Sequence, residues 1–215
     1  MMYFTDRNEA ALQLATKIIK HKSPHTLVLA IPRGGVPIGK VLAEALSAPL
    51  DLLMAKKIGH PFDPEFAIGA VCANELIIEE ASEINTEYLA QQGQQIKAEL
   101  SARYKRLTGR ERLLSTHQKK VIITDDGIAT GRTMLAAVRA IKKQGPSSLI
   151  VAVPVCSVEA SKKVAPEVDE LIACYYPDPF IGVGRFYKQF SQVTDEEVIE
   201  MLRKSTTVAS PPSRV

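Results

Sequence analysis

The sequence predicts an α/β fold built on a largely parallel sheet. Three observations predict it. Short apolar runs of strand length recur at 26–32, 120–125 and 148–155. Helical periodicity fills the intervals between them, which suits parallel neighbours because such pairs need a long crossover. Two of the runs end in Gly-rich turns that open helices, RGGVPIG at 33–39 and DDGIATGRT at 125–133. In open α/β sheets ligands bind beyond the carboxyl ends of the strands, where both turns would lie.

Each element has its own signal. Asp6 and Glu9 have the spacing of a capping box. Ala11, Leu12, Ala15, Ile18 and Ile19 then form a helical stripe. TLVLAIP, 26–32, reads as a strand, and a helical pattern follows through Val41, Leu42, Ala45 and Leu46. PLDLLMA, 49–55, reads as another strand. FAIGAVC at 66–72 and ELIIEE at 75–80 read as an antiparallel pair, since so short a connection cannot make a parallel crossover. A polar, helix-favouring stretch runs from about Ile84 to Leu107, and Gly93 interrupts it, which suggests two helices. KVIITD, 120–125, is a strand of the buried parallel type. A helix from about Thr133 to Gln144 ends at Gly145-Pro146. SLIVAVPV is the next strand, followed by a helix over Val158 to Val164 and a strand through Leu171, Ile172 and Ala173. The last helix opens at Thr194, with Glu197 completing a second capping box. Residues 205–215, rich in Ser, Thr and Pro, read as a disordered tail.

Composition narrows the class. A chain of 215 residues with 46% apolar content suits one globular domain, here 1–204. A net charge of +3, from 27 basic and 24 acidic residues, gives no ground for a nucleic-acid partner. Cys72, Cys156 and Cys174 are odd in number and lie in apolar runs, as reduced cysteines of a cytoplasmic protein do. The polar, acidic start is not a signal peptide, and no apolar run approaches the roughly 18 residues that span a bilayer.

VIITDDGIATGRTM carries the most chemistry. Small residues let backbone amides approach an anion, and the helix that follows adds its N-terminal dipole. Thr130 and Thr133 supply hydroxyl donors and Arg132 supplies charge. The glycines stand four apart and arginine replaces the essential lysine, so the loop is not a Walker A motif. Nor does it have the spacing of a dinucleotide fingerprint. Asp125 and Asp126 directly before the loop would repel a phosphate unless something lies between. Ribose hydroxyls meet that need, each donating a hydrogen bond to a carboxylate. A sugar with a phosphate at one end fits the segment.

This segment resembles the phosphoribosyl pyrophosphate signature of type I phosphoribosyltransferases. The resemblance implies a Rossmann-like parallel-sheet core over about 24–174, helices on both faces, and a small hood from the N-terminal helix and about 175–204. It implies that Asp125 and Asp126 bind the ribose hydroxyls. Gly127, Ile128, Ala129, Thr130, Gly131, Arg132 and Thr133 then hold the 5-phosphate. Arg33, Gly34 and Gly35 match the family's pyrophosphate loop, with an unusual peptide geometry expected near Arg33-Gly34. Lys56 and Lys57 end the next strand and would meet pyrophosphate charge. IGHPFDPE after them matches a mobile lid without regular structure. Asp125, Asp126 and Lys57 are the catalytic candidates. His60 in the lid is a conceivable proton donor, although a lone loop histidine is more often solvated.

The implied reaction displaces pyrophosphate at the anomeric carbon by a nitrogen nucleophile. Magnesium bridging substrate oxygens is implied, with no metal cage from the protein itself. A homodimer is a further family expectation. The aromatics Tyr175, Tyr176, Phe180, Phe186, Tyr187 and Phe190 fall in the hood, where they form its small core or stack on an acceptor base. Arg103, Lys105, Arg106, Arg110 and Arg112 read as a solvated helix face. Over roughly residues 5–203 the chain resembles a group of uncharacterised bacterial phosphoribosyltransferase-domain proteins. It lacks the hood segments of the adenine, hypoxanthine-guanine, uracil and orotate enzymes, which leaves the acceptor open. The second class in play is a regulator that senses phosphoribosyl pyrophosphate through a degenerate site.

Overall fold

The structure, a computed structural model, describes residues 4–78 and 86–206. In chain order the elements are α1 (Arg7–Ile18), β1 (Thr26–Ala30), α2 (Gly35–Leu46), β2 (Leu50–Leu52), β3 (Ala55–His60), β4 (Asp63–Cys72) and β5 (Glu75–Ile78). They continue as α3 (Thr86–Thr108), β6 (Lys120–Thr124), α4 (Arg132–Lys142), β7 (Ser148–Val155), α5 (Val158–Val164), β8 (Glu170–Tyr175) and α6 (Asp195–Thr206). Residues 79–80 of the expected second hairpin strand, the start of the expected helical stretch at 84–85 and the tail from 207 lie outside the described residues, while 205–206, expected in the tail, belong to α6.

Five strands form one parallel sheet in the order β2-β1-β6-β7-β8. Alternation along the strands explains the two covered faces. Val28, Ala30, Ile122, Ile150 and Ala152 face one way, into the layer that holds Leu14 and Ile18 of α1 and Ile38 and Leu42 of α2. Leu27, Leu29, Val121, Ile123 and Val151 face the other way, toward Met134, Val138 and Ile141 of α4 and Ala160 and Val164 of α5. The architecture is the expected Rossmann-like one, with helices on both faces and a small hood. In the hood, the Phe4 amide donates to the Phe186 carbonyl at 2.9 Å and the Lys188 amide donates to the Phe4 carbonyl at 2.8 Å. Phe4, Phe186 and Tyr187 are buried there, so these aromatics build the hood's own core.

Three expectations change. The strand placed at 49–55 ends at Leu52, and Ala55 starts a second, antiparallel sheet in the order β3-β4-β5. The segment after Lys57, expected without regular structure, is a β-ribbon in which β3 pairs with β4 through irregularities around Gly59. Ile58, Ile68 and Val71 explain the order: they are buried in one layer with Ile96 and Leu100 of α3. Gly93 does not split the polar stretch, because α3 runs through it unbroken. There the glycine is buried against Leu76, whose Cδ1 would lie 3.4 Å from an added Cβ. Among the described residues, no helix is long and apolar enough to cross a membrane. All three cysteines are unpaired, Cys72 and Cys156 buried and Cys174 half-buried.

Lys105, Arg106 and Arg112 at the end of α3 are exposed, as expected of a solvated face, while Arg110 is not simply solvated. Arg103 and Arg106 both reach Asp195 of α6, at 2.9 and 2.6 Å, and Lys105 pairs with Glu111 at 2.6 Å. Arg110, expected to be solvated, donates at 2.7 Å to Asp51, a fully buried carboxylate on β2. The Leu52 and Leu114 amides also donate to Asp51, at 2.7 and 2.8 Å. The Tyr104 hydroxyl lies 2.9 and 3.0 Å from its two oxygens. Burial still pushes the Asp51 carboxyl above its ordinary range, against the pull of these donors. Tyr104→Phe is expected to cost about 1–3 kcal/mol, the loss of one of the four donors to a buried carboxylate. Denaturant unfolding of the variant measures this, and wild-type stability would contradict the role given to the hydroxyl.

Candidate active site

The loop after β6 is anchored on one side and open on the other. The Ile128 amide donates to the Val155 carbonyl at 2.9 Å, and the Ser157 amide returns a bond to the Ile128 carbonyl at 2.9 Å. The Ser157 hydroxyl donates to the Ala129 carbonyl at 2.6 Å. Ile128 is buried and holds the loop against the end of β7, while Ala129 and Thr130 are exposed. No carbonyl among the described residues accepts from the Ala129, Thr130 or Gly131 amides. Gly131 has φ 81°, a conformation that favours glycine, and caps α4. The Leu135 amide closes the first turn on the Gly131 carbonyl at 2.8 Å. The amides of Arg132, Thr133 and Met134 therefore lie at a helix N-terminus, where an anion is favoured.

The Arg33 turn lies against this loop because β1 and β6 are parallel neighbours, with Ala30 opposite Thr124. The Ile31 amide donates to the Thr124 carbonyl at 2.9 Å. A Cβ on Gly34 would lie 2.0 Å from Asp126 Oδ2, and one on Gly35 would lie 2.9 Å from Asp125 Cα and the Thr124 carbonyl oxygen. A side chain at Gly35 would run into the β6 backbone, and one at Gly34 would displace the Asp126 carboxylate. The Pro32–Arg33 peptide is cis, one bond before the place where unusual geometry was expected. The Arg33 side chain is half-buried and makes no hydrogen bond or ion pair among the described residues.

The acids carry unequal partners. Asp125 Oδ1 accepts from the Asp126 amide at 2.8 Å. Asp126 Oδ2 accepts from Arg7 Nε at 3.0 Å and Arg7 Nη2 at 2.8 Å. The Tyr187 hydroxyl donates to the Asp126 carbonyl at 2.6 Å. Burial raises both carboxyls above their ordinary values; the Asp126 charge adds to the rise at Asp125, and Arg7 opposes it at both. Arg7 and Tyr187 were not among the expected site residues. Arg7 stands 119 residues from Asp126 and follows a helix cap, so no local pattern signals it.

The structure thus brings Arg33, Gly34, Gly35 and the 125–133 loop onto one surface. The lysines stand apart on the ribbon. Lys56 is exposed and pairs with Glu99 of α3 at 2.6 Å. Lys57 is exposed and alternates to the other side of β3, and its side chain makes no hydrogen bond or ion pair among the described residues. His60 sits near the ribbon's tip, where its Nδ1 accepts from the Phe62 amide at 3.2 Å. No group of three His, Cys, Asp or Glu residues fit to hold a metal is present among the described residues.

The family profile described as the phosphoribosyl transferase domain matches residues 6–175, a span that holds both loops and Arg7. The chain belongs to this family. As a phosphoribosyl transferase domain it is 34% identical, over 212 positions, to two Mycobacterium tuberculosis sequences provisionally named phosphoribosyl transferases. The match covers 95% of this chain and 47% of each relative, so the chain spans about half the length of these curated relatives. It is also similar to the crystal structure of the Thermus thermophilus protein TT1426. That likeness has 34% identity and a TM-score of 0.84, and covers 94% of this chain and 99% of the other.

The acid pair should weigh on the stability of this phosphoribosyl transferase domain. A carboxyl whose folded-state titration is raised costs stability once ionised, and the cost disappears as pH falls through the raised value toward the ordinary one. Asp125→Asn keeps an acceptor oxygen for the Asp126 amide and removes the charge. Its unfolding temperature is expected to exceed the wild type's at neutral and alkaline pH. The gain should shrink on acidification and vanish below the ordinary value of 3.8. Thermal unfolding across pH checks this, and a variant less stable than wild type at alkaline pH would contradict it.

Proposed function

We propose that the chain transfers the 5-phosphoribosyl group of phosphoribosyl pyrophosphate to a nitrogenous base or related acceptor and releases pyrophosphate. One observation carries the reading: two half-buried adjacent carboxylates lie between an open-amide loop at a helix N-terminus and the Arg33-Gly34-Gly35 turn. The carboxylates take the ribose hydroxyls. The amides of 129–133, with the Thr130 and Thr133 hydroxyls, take the 5-phosphate. Arg33 and the glycine turn take the pyrophosphate, whose oxygens suit a guanidinium. Gly127 and Ile128 keep the loop in place.

The anomeric carbon gains positive character as the leaving group departs. Negative carboxylates held beside the ribose stabilise that charge, while Arg33 and the amides stabilise the charge building on pyrophosphate. The β3–β4 ribbon acts as the lid, with Lys57 meeting the pyrophosphate and Lys56 held by Glu99 at its base. A closed lid excludes water, which would otherwise hydrolyse the donor. A divalent ion such as Mg2+ would ride on the substrate, because a polyphosphate brings its own oxygen ligands. When bound, the ion neutralises the leaving pyrophosphate.

The hood was expected from the N-terminal helix and about 175–204; α1 instead packs on the sheet with α2, and the segment before it joins residues 175–194 to cover the acceptor side. Its partly exposed aromatics, Tyr176 and Phe190, offer ring surface to a planar base. A cytoplasmic setting accords with three unpaired cysteines.

Pyrophosphate release measured over a panel of purine and pyrimidine bases, with phosphoribosyl pyrophosphate and Mg2+, tests the proposal. Release that depends on at least one base is expected. Tight donor binding with no release across the panel would overturn the enzymatic reading and favour a sensor of the donor.

A further inference from the structure

Arg7 is the charged group that joins the two halves of the site. It belongs to α1 and follows the N-cap Asp6. Its Nε and Nη2 both donate to Asp126 Oδ2, at 3.0 and 2.8 Å. Its Nη1 donates to the Ser191 carbonyl at 2.8 Å. Its guanidinium carbon lies 3.9 Å from the centroid of the Phe190 ring. The side chains of Arg7 and Asp126 are only 11% and 14% exposed, so water screens the pair little. A flat guanidinium can make an edge-on pair with a carboxylate and a face-on stack with a ring at once; a lysine cannot.

We propose that Arg7 is a positioning residue that couples the donor carboxylate to the acceptor cover, so that filling the ribose site and ordering the Phe190–Ser191 segment are one event. The inference rests on the proposed function, because it takes Asp126 to be a ribose ligand. Only Oδ2 of Asp126 is engaged by Arg7, and Oδ1 remains for a donor hydroxyl. A hydroxyl that pulls Asp126 toward the ribose pulls Arg7 with it, and with Arg7 the ring and the Ser191 carbonyl. The same segment hangs on the residues that precede Arg7: the Gln189 amide donates to the Thr5 carbonyl at 2.9 Å and the Lys188 amide to the Phe4 carbonyl at 2.8 Å. The cover therefore feels both ends of the α1 entry, through backbone bonds on one side and a side chain on the other.

The charges that face Asp126 are Asp125 beside it and Arg7 from α1, with the Tyr187 hydroxyl on its carbonyl and the Gly34 backbone packed against its carboxylate. Arg7 opposes the upward shift that burial causes at Asp126. Losing the cation moves that titration further up, so the carboxylate form is lost at a higher pH as acid is added.

The test is a titration of phosphoribosyl pyrophosphate with Mg2+ into wild type, Arg7→Gln and Arg7→Lys between about pH 5 and 8, paired with amide exchange at Lys188 and Gln189. In wild type the donor is expected to bind and to slow exchange at both amides. Arg7→Gln is expected to bind roughly tenfold or more weakly, since charged hydrogen bonds are lost. Its affinity should fall off at a higher pH than the wild type's, and the donor should no longer slow exchange. Arg7→Lys restores the charge, so its pH profile should return toward wild type while the exchange effect stays lost with the stack and the Ser191 bond. A correctly folded Arg7→Gln with the wild-type affinity, pH profile and exchange response overturns the coupling and leaves the proposed function standing. A Arg7→Lys that mimics Arg7→Gln in pH profile overturns the electrostatic part. No donor binding by wild type overturns the proposed function and this inference with it.

Discussion

The site depends on one steric constraint, the approach of the Gly34 backbone to the Asp126 carboxylate. A Cβ at Gly34 would overlap Asp126 Oδ2, at 2.0 Å. The approach exists because β1 and β6 are parallel neighbours in register, with Ala30 opposite Thr124, so the two turns leave the sheet at the same edge. Other small residues extend the constraint. A Cβ on Gly39 would lie 2.8 Å from Ala30 Cβ, so α2 seats close to β1 just below the turn. One on Gly127 would meet Val155 and Val183 at 2.7 Å, so the acidic loop is wedged between β7 and the hood. Two loops about ninety residues apart thereby form one surface.

That surface stores electrostatic cost. Placing two carboxyls side by side in a half-buried position is unfavourable, and one guanidinium from α1 offsets part of it. Such arrangements are expected where a ligand completes the balance, because a site optimised for stability would not keep the second acid. The buried Asp51 makes an instructive contrast. It has four donors from protein groups, lies on β2 away from the turns, and serves to fasten α3 and the 110–114 segment to the sheet. The acid pair instead keeps carboxylate oxygens that the protein leaves for something else.

The sheet strands, the α1 N-cap, the α6 capping box and the 125–133 loop were legible because each rests on local signals: apolar runs of strand length, cap residues, and glycines placed after a strand. At the α1 N-cap the Glu9 amide takes Asp6 Oδ1 at 2.9 Å, although Glu9 itself receives the Thr5 amide at 2.6 Å instead of closing on Asp6. What was not legible depends on tertiary contact. Gly93 looked like a break, yet a helix interior tolerates a glycine at about 1 kcal/mol when packing over many residues holds the helix. The ribbon after Lys57 contains Gly and Pro residues that signal a loop, and burial of Ile58, Ile68 and Val71 overrides them. Arg7 gave no sign at all, since its role appears only when α1 is laid against α2, β7 and β8, which brings Arg7 to Asp126 and the aromatic segment.

The central claim is that Asp125 and Asp126, facing the glycine turn, hold the ribose of phosphoribosyl pyrophosphate. Calorimetric titration of that donor, with Mg2+, into wild type and the Asp125→Asn/Asp126→Asn double variant tests it most directly. Saturable binding to wild type is expected, with a loss of roughly a hundredfold or more in the variant, as two charge-assisted hydrogen bonds go, and with cooperative unfolding retained. Equal affinity in the two proteins would contradict it.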